Sequence, residues 1–222
     1  MRTFEEYRNL FPDLYNEVKR IHGESARPHR GHGFADHNLP VALMATRIAP
    51  DLRTADKAYV AGMLHSLDRW VEKGQMGFVT SIYRCLELLP TGYFTSQETE
   101  EILDAIVKHD RKNEDDDSLT LQVLKDADRL INLEPVHIIR AAQWYHEIPA
   151  IEIEHLGELN PASVWGKACN VIDNLRFTLE WISWLRIPKA KERGEELRTE
   201  LEAFIVSCER IYHELGLAGK TL

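Results

Sequence analysis

Cysteine is scarce in this 222-residue chain, basic charge is in deficit, and long apolar runs and alternating strand patterns are nearly missing. The three cysteines, Cys85, Cys169 and Cys208, lie far apart and form no CxxC pair. That argues against a zinc knot or a disulfide framework and reads as buried free thiols in a reducing compartment. No stretch of about 18 apolar residues occurs, so no membrane span is expected. Met1 to Leu10 carries charge throughout and has no apolar signal core, so a cytoplasmic protein is expected. The formal net charge of -9 repels phosphate backbones and disfavours a general nucleic-acid binder. A local basic pocket for a small phosphate ester is still allowed.

What the chain does have is helical periodicity. Hydrophobic residues make up 44% and charged residues 28%, enough for a substantial core under a solvated surface. Thr3 with Glu6 forms a capping-box pattern that opens a first helix running towards Ile21. Arg27 to Gly33 is a loop rich in Pro, Gly and His. A second helix is expected from about Asp36 to Ile48, with Pro40 in its first turn. A third is expected from about Thr54 to Val71, with Tyr59, Met63 and Leu67 on one stripe, before Gly74 and Gly77 break the chain. Further helices are expected near Thr80 to Leu89, Ser96 to Lys108, Ser118 to Asn132 and Pro135 to His146. Asn160-Pro161 has the form of a helix start, an N-cap followed by Pro, for a segment reaching Leu185. A last helix covers about Pro188 to Leu215. Glu147 to Glu158 is the best candidate for a loop between two halves.

The chemistry concentrates in histidines and aspartates. There are ten histidines. His37 opens the second expected helix, and His65 lies inside the third, in AGMLHSLDRW. Asp126 and Asp128 lie in Lys125-Asp126-Ala127-Asp128-Arg129-Leu130, and His109 follows the Ser96 to Lys108 helix. This order of His, His and KDADRL resembles the H…HD…D signature of the HD superfamily of metal-dependent phosphohydrolases. The stretch GHGFADH ending at His37 and the RIPKAKERGEEL stretch from Arg186 are also similar to small bacterial members. The resemblance spans roughly residues 30 to 210.

That resemblance implies an all-α, HD-domain-like helical bundle with additional C-terminal helices. It would be a single domain over 1–222, with a core at about 30–146 and an extension at about 160–215. It implies His37, His65 and Asp128 as ligands of a divalent transition metal (Mn, Zn, Fe, Co or Ni). The family's Asp after the second His is Ser66 here, a neutral group and a poor ligand. Asp68, three residues beyond His65, shares its helix face but points away from the vacated slot, which suits a supporting or proton-transfer role. Arg129 and His109, with Lys108 and Lys112, are candidate cations for developing phosphoryl charge.

The implied partner is a small phosphorylated substrate such as a nucleotide, with no membrane and with a homodimer allowed. The implied function is hydrolysis of a nucleotide or other small phosphate ester. The alternative is a degenerate HD domain that binds a nucleotide or protein without turnover, which Ser66 favours. A di-iron oxygenase is disfavoured because it needs the Asp that Ser66 replaces. A purely structural helical adaptor would require that the histidines not converge.

Plainer readings stand beside these. The histidines could be hydrogen-bonded core residues, and Asp128 could be a helix-capping or Arg-paired carboxylate. Asp126 reads as structural or as a support behind a ligand. His29 and His32 line a site entrance or a polar loop. Trp165, Phe177, Trp181 and Trp184 read as core rather than as a stacking platform. The acidic run Asn113 to Asp117 reads as a solvated loop.

Overall fold

The computed structural model describes residues 1–24, 32–70 and 75–217; the side chains of residues 24, 68, 75 and 76 lie outside it. Its α-helices are α1 (Phe4–Leu10), α2 (Pro12–Glu24), α3 (Leu39–Ile48), α4 (Leu52–Leu64) and α5 (Gln75–Leu86). They continue with α6 (Ser96–Lys108), α7 (Leu119–Ile131), α8 (Pro135–Trp144), α9 (Val171–Glu180) and α10 (Pro188–Glu214). The fold is all-α: among the described residues the only β feature is an isolated bridge between Val164 and Lys167. No described helix is long and apolar enough to cross a membrane.

Helices start where local chemistry satisfies their first N–H groups. Thr3 and Glu6 form the expected capping box at α1. Asp51 caps α4 through the Thr54 amide at 2.9 Å. Thr95 and Glu98 cap α6 reciprocally, and Ser118 caps α7. The expected first helix is two helices, because Pro12 has no N–H to continue the ladder and instead begins α2. Thr80 to Leu89 was expected as a helix beginning after Gly77, yet α5 starts at Gln75 and carries Gly77 within it. Asn160-Pro161 starts no helix. The Asn160 carboxamide accepts from the Ala162 amide at 2.8 Å and closes a turn, and the helix waits for Asn170, which caps α9 through Asp173.

The centre of the fold is α3 packed against α4 and α7, with α6 also resting on α4 and α7. Tyr7 and Phe11, at the start of the chain, bury their rings against Tyr59 of α4 at 4.5 and 5.9 Å. The α3–α4 crossing is close because Gly62 has no side chain: a Cβ there would stand 2.6 Å from the Ala42 Cα. α4 also ends earlier than its apolar stripe suggests. His65 is its C-cap rather than an interior residue, and the chain then makes a 3-10 turn over Leu67–Arg69. Ahead of α3, Phe34–Asn38 is a π-helical turn in which the Gly33 carbonyl accepts from both His37 and Asn38. Pro40 cannot donate back to residue 36, which accounts for the slip to the wider register.

The C-terminal half is fastened to α7 by a buried carboxylate. Asp126 accepts from the backbone amides of Arg186 and Ile187, both at 2.7 Å, immediately before α10. Asp126 is therefore structural, as its sequence context suggested.

Two outcomes check this account. Gly62→Ala forces α3 and α4 apart and is expected to cost about 1–3 kcal/mol in urea unfolding. Glu98→Gln is expected to cost about 1 kcal/mol at pH 7. The Arg53 guanidinium and the α6 cap hold the Glu98 carboxyl down to about 2. Its stabilisation is therefore complete above the ordinary glutamate range and lost as pH falls towards 2, so the difference between variant and wild type should shrink between pH 7 and pH 3.

Candidate metal centre and cavity

The three ligands that the resemblance implies come from three elements. His37 lies in the π-helical turn, His65 at the C-cap of α4, and Asp128 on the last turns of α7. Their ligand atoms fall within 4.8 Å of one another. His65 Nε2 lies 3.2 Å from His37 Nε2, and His37 Nε2 lies 3.3 Å from Asp128 Oδ1. Two nitrogens bound to one ion at normal metal–nitrogen lengths sit roughly 2.9–3.4 Å apart, so this spacing suits a shared cation.

The protonation chemistry agrees. His65 Nδ1 is paired with the Gly62 carbonyl at 2.6 Å. That fixes the tautomer and turns the Nε2 lone pair towards His37. Burial pushes the His65 imidazole down to about 4 and the His37 imidazole well below its ordinary value, so both are neutral and ligand-competent near pH 7. The His37–Asp128 approach is accordingly a contact between a neutral ring and a carboxylate, not an ion pair.

Ser66 takes no part in this cluster. Its hydroxyl donates to Asn38 Oδ1, and Asn38 Nδ2 donates to the Met63 carbonyl at 2.7 Å. Where the resembled family has a carboxylate, this chain has a neutral, internally satisfied pair. The Asp68 side chain lies outside the described residues. Its backbone is in the 3-10 turn after α4 has ended, so the shared helix face expected for His65 and Asp68 does not exist.

The triad lines a cavity of about 780 Å³. Arg69, Arg111, Lys112, Lys125, Arg129 and Arg140 line it, against the carboxylates Asp110 and Asp128. A chain with net charge -9 has thus gathered a cationic pocket. Of the expected cations, His109, Lys112 and Arg129 reach it. Lys108 does not: it pairs with Asp104 one turn back on α6. His109 repeats the geometry of His65, as the C-cap of α6 with Nδ1 on the Ile106 carbonyl at 2.7 Å, and its ring stands 5.1 Å from that of His65. His32 also lines the cavity, 4.7 Å from His37 ring to ring.

Three readings of the sequence change here. The acidic run is not simply solvated, because Asp117 is buried and paired with Lys125 and Arg186 at 2.8 and 2.6 Å. The tryptophans are not core: Trp165 is 55% and Trp184 46% exposed, and with Trp181 they face the cavity. α8 contributes His137, Arg140 and Trp144, none of which sequence reading singled out. Their i, i+3, i+7 spacing is the signal that could have found them. Both ring nitrogens of His137 are buried and lack a hydrogen-bond partner, and burial pushes its imidazole down to about 3.

No family model and no curated protein matches the chain. Solved structures do. An HD-superfamily hydrolase from Bacillus thuringiensis aligns with a TM-score of 0.68 at 16% identity, covering 93% of this chain and 98% of its own. A structural-genomics protein from Lactobacillus plantarum aligns at 0.63 and 17% identity, over 96% of this chain and all of the other. Bacillus subtilis YpgQ in complex with ADP aligns at 0.61 and 19% identity, over 88% and 96%. At these identities the likeness establishes an HD-domain-like fold over nearly the whole chain.

Ser66→Ala is expected to leave metal content unchanged, since the hydroxyl is committed to Asn38. It should cost about 1–3 kcal/mol in chemical unfolding, because a buried acceptor loses its donor.

Proposed function

We propose that this chain is a metal-dependent phosphohydrolase acting on a nucleotide or another small phosphate ester. The observation that carries the reading is the meeting of His37, His65 and Asp128 within 4.8 Å in a cavity lined by arginines and lysines. Two neutral imidazoles and a carboxylate form a ligand set for Mn, Zn, Fe, Co or Ni that leaves positions for solvent and substrate. A divalent cation held there supplies Lewis acidity, acidifying water and polarising a phosphoryl group.

The chain's own residues supply the rest. Arg129 follows the ligand Asp128 directly, and its guanidinium is held by Asp126 at 3.3 Å and Asn113 at 2.8 Å. It is therefore oriented before any substrate arrives. His109, with Nδ1 tied to the Ile106 carbonyl, presents Nε2 as the group free to exchange a proton. Arg69, Lys112 and Arg140 extend the positive wall along the cavity, where it can hold the non-reacting phosphate oxygens. The volume is generous for a phosphate monoester and suits a nucleotide. The ADP of the Bacillus subtilis YpgQ complex is a ligand of that size on the same fold.

One observation favours a second reading, a domain that binds nucleotide without turnover. Ser66 and Asn38 form a neutral pair where a carboxylate ligand would stand.

Elemental analysis of protein purified without added metal or chelator separates the two. About one divalent transition metal per chain, lost in His65→Ala, is expected if the three-ligand site works. Phosphatase and nucleotidase turnover in that metal should then be lost with it. Failure to retain Mn²⁺, Zn²⁺, Fe²⁺ or Ni²⁺ after incubation would overturn the hydrolase and leave the binding domain.

A further inference from the structure

The cavity has a second kind of wall that phosphate hydrolysis alone does not use. Trp165, Trp181 and Trp184 form a ladder, with ring centroids 4.8 Å apart for the first pair and 6.2 Å for the second. The Trp181 and Trp184 rings are within 23° of parallel. All three line the same cavity as the histidines. Trp184 is 46% and Trp165 55% exposed, so their rings are offered to whatever enters.

This ladder is built into the site rather than scattered on the surface. The main chain at Trp184 is fixed by the very residues that face the phosphate end. Its carbonyl accepts from Arg129 at 3.2 Å and from Asn113 at 2.8 Å. The Arg129 guanidinium also lies 5.7 Å from the centroid of the Trp184 ring. Asp128, the metal-ligand candidate, is the adjacent residue. The aromatic shelf and the triad thus share one cavity, and the Arg129 guanidinium lies against the shelf.

Trp144 of α8 lines the same cavity, is 45% exposed and stands 6.2 Å from His32, which in turn stands 4.7 Å from His37. Aromatic rings therefore line the cavity from α8 as well as from the Trp181–Trp184 turn. Rings that are partly uncovered and next to a cation, two of them within 23° of parallel and Trp165 edge-on to Trp181 at 61°, suit a ligand with a flat π-face at one end and phosphate at the other.

We propose that the Trp181–Trp184 turn with Trp165 is a base-stacking subsite that makes this cavity selective for nucleoside phosphates over phosphates that carry no base. The proposal rests on the phosphate-site reading above and adds to it which half of the substrate is recognised, and by which residues. The subsite belongs to the C-terminal half of the chain and is held in register by Asp126, Arg129 and Asn113 of the other half.

Isothermal titration of the full-length protein in Mn²⁺ tests it with two probes, α,β-methylene-ADP and inorganic pyrophosphate. The wild type should bind the nucleotide analogue more tightly than pyrophosphate. Trp184→Ala should lower that affinity ratio by about tenfold, as expected for the loss of one stacking partner, and Trp184→Phe should recover most of it. Arg129 and Asn113 hold the backbone carbonyl at 184, but Arg129 also lies against the Trp184 ring; an unchanged pyrophosphate affinity and an unchanged unfolding midpoint in the alanine variant therefore check that the phosphate end is intact. Equal wild-type affinity for both probes would overturn the subsite. So would a ratio untouched in both Trp184→Ala and Trp181→Ala. If the wild type binds neither probe, the phosphate-site reading itself falls, and the two failures are thereby told apart.

Discussion

Everything in the site depends on how closely α3 and α4 approach at Gly62 and Ala42. With no Cβ at 62, the two backbones come near enough for the element before α3 and the end of α4 to place His37 Nε2 and His65 Nε2 3.2 Å apart. The same glycine offers the carbonyl that holds His65 Nδ1. One residue therefore sets both the separation of the two rings and the tautomer of one of them. Because both rings are buried, the charged forms are disfavoured, and two imidazoles can face one another without repulsion. Proximity and neutrality have a common origin in the tight packing of this pair of helices.

Around that centre the chain handles charge by pairing it internally. Lys125, Asp126 and Arg129 are all buried on α7, a costly arrangement unless each finds partners. Lys125 and Arg186 meet on Asp117, while Asp126 takes two backbone amides as well as Arg129. These contacts join the loop after α6, the helix α7 and the start of α10. They close one side of the cavity and carry the tryptophan turn to its wall. An acidic protein can hold a cationic pocket because most of its carboxylates lie elsewhere on the surface, and the buried ones are committed to structure.

The neutral Asn38–Ser66 pair belongs to the same pattern. A carboxylate at 66 would lie beside Asn38 and the Met63 carbonyl in a buried space and would need a cation to offset it. Serine needs none, since its hydroxyl donates to Asn38 and the pair is satisfied within the fold. Of the three candidate ligands only Asp128 is a carboxylate, and the arginines and lysines of the cavity wall face the same space.

The capping box of Thr3 and Glu6 is local, and so are the all-helical periodicity and the order of His37, His65 and KDADRL. These were legible in the amino-acid sequence because each depends on residues a few positions apart. The turn at Asn160, where the carboxamide takes the Ala162 amide instead of opening a helix, was not, and neither was the burial of Asp117, which depends on Arg186, 69 residues away. The role of the tryptophans was misread for the same reason. Aromatic residues at helical spacing look like core until the cavity they face is known, and that cavity is made by α7, α8 and the loop after α6 together. By itself, the sequence determined the all-helical class and the order of the His and Asp donors, because donor chemistry and periodicity are written along the chain. Only the tertiary structure decided that His37, His65 and Asp128 converge while Ser66 turns away, because convergence is set by the distance between backbones, and that distance is fixed by packing.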